Sequence, residues 1–217
     1  MDSDQPMPTP VTRLPDLGFP AGHAALTFDD GPEPPWTDRV LDLLEETGTP
    51  ATFFVLGSRI AGQERTLRRM VAAGCAVEVH SWEHVRMTDQ DRRQRLRDIL
   101  RTRSLIHDVT GYQPHAVRTP DGYVSLDVLD TIAEAGMTPV FWSVHAADWT
   151  RPGVAAIENA ILGGLDDGAI ALLHDGGGDR SQTVTATRTI IAATRDRGLV
   201  PVSLAQLPSS VDGEVPG

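Results

Sequence analysis

The feature that most restricts this chain is a repeated alternation of short apolar runs with helical patterns. The runs fall at residues 24–28, 51–55, 76–79, 116–118, 139–142, 169–173 and 199–202. Most are continuously apolar, as strands are when both faces of a parallel sheet are covered. Between them lie helical segments at 36–46, 63–73, 89–109, 126–135, 154–162 and 183–197; the first places Val40, Leu41, Leu43 and Leu44 on one side. The spacing predicts a long helix over 89–109, with Thr88 as its N-cap and Leu96, Ile99, Leu100 and Ile106 as its buried stripe. Its arginines (Arg92, Arg93, Arg95, Arg97, Arg101, Arg103) read as a solvated face. A chain that repeats strand then helix lays its strands parallel, in an open doubly wound sheet or a closed barrel. In either α/β arrangement reactive groups collect at the carboxyl ends of the strands.

At 217 residues the chain fits one domain, expected over 23–207, with a loosely ordered Pro-rich arm at 1–22 and a flexible tail at 208–217. No run is apolar enough for a secretory leader or a membrane span, so the cytoplasm is the expected location. A formal net charge of −11 argues against nucleic acid or an anionic membrane as partner. All nineteen basic side chains are arginine, which removes every lysine-dependent chemistry, from phosphate loops to Schiff bases. A single cysteine, Cys75, excludes an intrachain disulfide and cysteine-rich metal sites, and reads as a core residue. Metal or acid–base chemistry must therefore use His, Asp and Glu.

Five of the seven strand ends carry ionisable groups: Asp29-Asp30, His80 with His84, Arg118 with Asp121, Asp148, and His174. Each has a bland reading. Asp29-Asp30-Gly31 makes a tight turn, His174 a core histidine, Arg118 an ion-pair partner, and Asp148 a helix cap beside the packed aromatic Trp149. Together they read otherwise. Two histidines four residues apart on one helical turn face the same way, and a carboxylate from the neighbouring strand supplies a third ligand. Neighbouring side chains on a strand alternate sides, so one of Asp29 and Asp30 can ligate while the other reaches over as a base.

The motifs TFDDGP at 27–32, HSWEH at 80–84, RTPDG at 118–122, Trp142 with Asp148-Trp149, and LLH at 172–174 resemble those of the polysaccharide deacetylase family, the NodB-homology proteins of carbohydrate esterase family 4. The resemblance runs from about residue 24 to 207. It implies a distorted (β/α) barrel of about seven parallel strands, and metal-dependent hydrolysis of an acetyl group, usually on an amino sugar. Carried over residue by residue, Asp30, His80 and His84 are the implied ligands of one divalent ion, zinc first and cobalt or nickel as alternatives. Asp29 is the implied base, Arg118 its partner, His174 the acid and Asp148 the group that orients it. Trp142, Trp149 and Leu172 are implied walls of the groove and acetyl pocket, a backbone N–H near Asp121 an implied oxyanion donor, and Gly122 an implied substrate contact beside it.

Two positions depart from the family pattern: Asp121 stands where an aromatic is usual, and His145 where an aspartate is common. Both bear on substrate identity. The expected substrate is a small soluble N-acetylated amino sugar or oligosaccharide; a chitin- or peptidoglycan-type polymer is the alternative. Two further alternatives are a non-haem iron enzyme, which also uses two histidines and a carboxylate, and a silent binding module. Oligomeric state is not encoded in these motifs.

Overall fold

The computed structural model describes residues 9–206. Its elements run β1 His23–Asp29, α1 Trp36–Thr47, β2 Thr52–Leu56, α2 Glu64–Ala72, β3 Ala76–Ser81, α3 Arg92–Thr110, β4 Ala116–Val117, α4 Leu126–Glu134, β5 Thr138–Pro139, β6 Val144–His145, α5 Val154–Gly164, β7 Ile170–His174, α6 Ser181–Asp196 and β8 Val200–Val202. One sheet holds all eight strands in the order β5-β4-β3-β2-β1-β7-β6, and β8 pairs with the start of β1. Every strand pair is parallel. This curled sheet with helices around it is the expected distorted barrel. Among the described residues no helix is long and apolar enough to cross a membrane.

The strands use their alternation to build two cores. Leu26, Phe28, Phe53, Val55, Val77, Val79, Val117, Ala171 and Leu173 join a cluster with Val40, Leu41, Leu44, Leu67, Met70, Ile99 and Ile106 of the helices. The intervening residues Ala25, Phe54, Ala76, Ala116 and Ile170 turn the other way, into the barrel, where they meet Leu14, Phe19 and Leu204. Continuing the period of two along each strand carries Asp29, His80, Arg118 and His174 to the inward positions at the carboxyl end. The register agrees: Asp29 is level with His174, and Val79 with Val117.

Several expectations need correction. The run at 139–142 is not one strand: β5 ends at Pro139, and a separate two-residue strand, β6, pairs with β7. The described part of the 1–22 arm is built into the barrel. Val11 bridges to Val140, Arg13 bridges to Ala169, and the fully buried Leu14 plugs the interior. This segment spans the seam between β5 and β7. The tail at 208–217 lies outside the described residues. Thr88 is not the cap of α3; Met87–Asp89 forms a short 3-10 turn, and Asp91 caps the helix in a reciprocal box with Gln94. Arg95 leaves the solvated face: it is buried and bonds the carbonyls of Met87 and Gln90 and the carboxylate of Asp127. Cys75 is buried, as expected of a core residue.

Candidate metal centre and acid–base pair

The strand ends are where the backbone departs from regular structure. Asp30, Ser81, Asp121 and Ala147 all hold positive φ, at 76°, 116°, 57° and 49°. Non-glycine residues in this region each cost on the order of 1–3 kcal/mol, and such strain collects at functional sites. Asp29 ends β1 facing inward, and the left-handed turn at Asp30 lets the second carboxylate come back to the same side, so the two need not alternate. Ser81 turns the chain leaving β3, and its hydroxyl bonds Glu83 O, folding His84 back over His80. His80 and His84 therefore do not share a helical turn; a strand end and a loop bring their rings to 5.3 Å.

The ligand atoms of Asp30, His80 and His84 lie within 4.8 Å of one another. Asp30 Oδ1 is 3.4 Å from Nε2 of each histidine. It is buried yet makes no hydrogen bond, a costly state that a cation would relieve. His80 Nδ1 lies 2.8 Å from the carbonyl of Arg118; that bond requires the proton on Nδ1 and leaves the Nε2 lone pair for a ligand. Burial works against charge on Asp30, but the His80, His174 and His84 imidazoles outweigh it and hold the carboxyl well below its usual range. Likewise burial opposes the His80 imidazolium, and Asp29 and Asp30 prevail to lift its pKa. The cluster attracts positive charge. Two imidazole nitrogens and one carboxylate fit zinc and its first-row neighbours.

Asp29 is buried beside this triad. Its Oδ1 accepts from Arg118 Nη1 at 2.7 Å, and its Oδ2 lies 4.0 Å from His80 Nε2. Arg118 is fully buried; it also donates to Thr27 Oγ1 and to the carbonyls of Val140 and Phe141, with its guanidinium 4.0 Å over the Phe54 ring. Burial draws Arg118 below the usual arginine value while Asp29 opposes. Across the opening, His174 Nδ1 bonds Asp148 Oδ1 at 2.8 Å, and Asp148 Oδ2 accepts from His174 N and Thr183 Oγ1. Burial disfavours the imidazolium, but the hydrogen bond and charge of Asp148, with Asp29 and Asp30 behind, raise the His174 pKa.

These groups floor a cleft of about 660 Å³ whose walls include Asp121, Gly122, Trp142, Trp149 and Leu172. His145 is not among its lining residues. It stacks behind Trp149, with rings 5.7 Å apart and 15° from parallel, and Trp149 in turn sets its edge against His174 at 5.2 Å. Gly122 takes φ 71°, and a Cβ there would meet Trp142 at 2.7 Å. Asp121 does not make the wall acidic, because Arg86 Nε pairs with its Oδ2 at 2.7 Å.

Sequence reasoning passed over Arg86, Tyr123, Arg59 and Arg180, which also line the cleft. Proximity was the available signal: Arg86 follows His84 by two residues, and Tyr123 follows Asp121 by two. Arg59 donates to the Asp30 carbonyl and to Glu33, and Arg180 ties down the carbonyls of Gly176 and Gly177. Asp175, next to His174, is buried against Gly31, and burial pushes its carboxyl up to about 7.

A buried carboxylate and a partly buried imidazole on either side of an Asp-His-His cluster, at the carboxyl end of a parallel barrel, form the kind of site that metal-dependent hydrolases use. The polysaccharide deacetylase family profile matches residues 17–140. The chain is 41% identical over 210 residues to a chitooligosaccharide deacetylase of Sinorhizobium fredii, covering 90% of this chain and 96% of that one. It is 36% identical over 185 residues to a peptidoglycan-N-acetylglucosamine deacetylase of Bacillus cereus, covering 84% and 86%. The solved peptidoglycan deacetylase PdaC of Bacillus subtilis superposes with a TM-score of 0.78 at 34% identity, over 86% of this chain and 90% of that one. The chain belongs to the polysaccharide deacetylase family.

Proposed function

We propose that this protein hydrolyses the N-acetyl group of N-acetylglucosamine units in a short chitooligosaccharide-type substrate, with Asp30, His80 and His84 holding one zinc ion. The observation that carries this reading is the orphaned Asp30 oxygen between two imidazoles, flanked by Asp29 on one side and His174 on the other. A divalent ion held there supplies Lewis acidity, polarising the acyl oxygen and acidifying water. Asp29 takes the proton of the attacking water on Oδ2, since Oδ1 is occupied by Arg118. Arg118 fixes that carboxylate in place. As the water oxygen bonds to the acyl carbon and the C–N bond breaks, His174 passes its proton to the departing nitrogen. Asp148 holds Nδ1, so the proton given is the one on Nε2. Acetic acid and a free amine leave, the acid passing its proton to the amine or to solvent, and the proton on Asp29 returns His174 to its charged form through solvent.

An oxygenase needs open cosubstrate positions without a flanking base and acid, and a silent module needs neither, so the complete pair supports hydrolysis. The experiment is acetate release from chitooligosaccharides of two to six units. Turnover should vanish with a chelator and return with zinc. Full-speed turnover in the chelated protein, or release from none of these sugars, would reject the reading.

A further inference from the structure

Three side chains on the cleft rim take no part in the chemistry above. Arg86 comes from the loop after His84, Asp121 and Tyr123 from the turn after β4, and all three line the cleft that holds the triad. Arg86 Nε donates to Asp121 Oδ2 at 2.7 Å, and its guanidinium carbon stands 4.2 Å from the Tyr123 ring centroid. Among the described residues the Arg86 Nη groups and Asp121 Oδ1 make no other hydrogen bond, so donors and an acceptor remain for a ligand. Tyr123 is 52% exposed beside them. The turn is fixed in place: Asp121 is left-handed, and Gly122 packs tightly on Trp142. A preorganised group of this kind loses little freedom on binding.

An aromatic face next to paired donors and acceptors matches a pyranose, which has an apolar C–H face and hydroxyls that both donate and accept. The charge balance narrows the choice. The Arg86–Asp121 pair carries no net charge, so it offers a carboxylate on the sugar no net attraction, and the open Asp121 oxygen repels one that approaches it. The geometry points to Arg86, Asp121 and Tyr123 forming a subsite for a neutral N-acetylhexosamine unit adjoining the one that loses its acetyl group. This deepens the proposed function and rests on it for the identity of the neighbouring unit. The subsite selects neutral oligosaccharides over single sugars and over carboxylate-bearing glycan.

Binding to the zinc-loaded protein tests it, read by titration calorimetry or, for weak ligands, by NMR. The probes are N-acetylglucosamine, its tetramer and a tetrasaccharide containing muramic acid. The wild type should bind the neutral tetramer tightest of the three. Tyr123→Ala and Arg86→Ala should each weaken the tetramer by about five- to tenfold while leaving the monosaccharide unchanged, and Tyr123→Phe should restore the tetramer. Undiminished tetramer binding in both alanine variants, equal losses for monomer and tetramer, or preference for the muramic-acid probe would overturn the subsite. These binding measurements read the rim independently of acetate release, whose failure would strike the proposed function instead.

Discussion

The two ends of the barrel interior are lined by the same strands and behave oppositely. At the amino end the inward residues are Ala25, Ala76, Ala116 and Ile170, closed by Leu14 and Phe19. The carboxyl next inward along β3, Glu78, is level with Phe54 and fully hydrogen-bonded: it accepts from Tyr112 Oη, His115 N and Ala116 N. At the carboxyl end the inward residues are Asp29, His80, Arg118 and His174, and buried oxygens of Asp30 and Asp175 have no partner. Burial alone therefore does not mark a site. A buried carboxylate with every bond made secures the fold, whereas one left incomplete beside two imidazoles is poised for a ligand.

The largest effect expected from this contrast is on chemistry at the carboxyl end. Asp29→Asn keeps shape and the Arg118 contact but cannot take a proton, so turnover should fall by about 10³–10⁴-fold. Zinc content, measured by atomic absorption, should be unchanged because Asp29 is not in the ligand cluster. Retained turnover would remove Asp29 as the base. At the amino end the balance reverses. Leu14→Ala empties a fully buried position in the plug and should cost about 3 kcal/mol in urea unfolding. Its kcat at temperatures where the variant is folded should match the wild type. A comparable loss of kcat would show that the two ends are not separable.

Glu78 makes stability depend on pH. Burial pushes its carboxyl from 4.5 up to about 7, against the pull of its three hydrogen bonds. Between those values the native state holds a proton that the unfolded chain has released. Stability should therefore decline as pH rises through that window, by about 3 kcal/mol at most. Glu78→Gln should remove this slope, which unfolding curves at several pH values between 4.5 and 7 would measure.

How much of this was legible in the sequence follows from which interactions are local. The strand-end motifs stood out because a period of two delivers Asp29, Arg118 and His174 inward whatever the surrounding packing. Two-residue strands such as β6 carry no period, so 139–142 read as one strand. The seam segment was hidden because its proline-rich sequence forms isolated bridges to distant residues rather than a patterned element. His80 and His84 do lie together, but positive φ at Ser81, not helical spacing, brings them there. Thr88 and Asp91 have similar capping propensity; the choice fell to Asp91 because Gln94 completes the box and Met87 is drawn into the core. Arg86 and Tyr123 matter through a cross-loop contact that spacing does not encode.

The smallest expected effect concerns how the carboxyl end sets its acid. Asp148 is the main influence that lifts the His174 pKa against burial, and it also receives His174 N and Thr183 Oγ1, so it fixes both charge and position. Asp148→Asn keeps an oxygen for the backbone and threonine contacts but removes the negative charge beside Nδ1. Burial then dominates, and the imidazolium loses its proton at lower pH. In the proposed hydrolysis His174 gives its proton as the C–N bond breaks, so the alkaline limb of the kcat profile should move to lower pH, with a rate loss of about 10–100-fold at its former optimum. A structural role alone would lower the rate at every pH and leave the limb where it was. An unmoved limb would therefore return His174 to the category Glu78 already occupies, a buried titratable group that holds the barrel together.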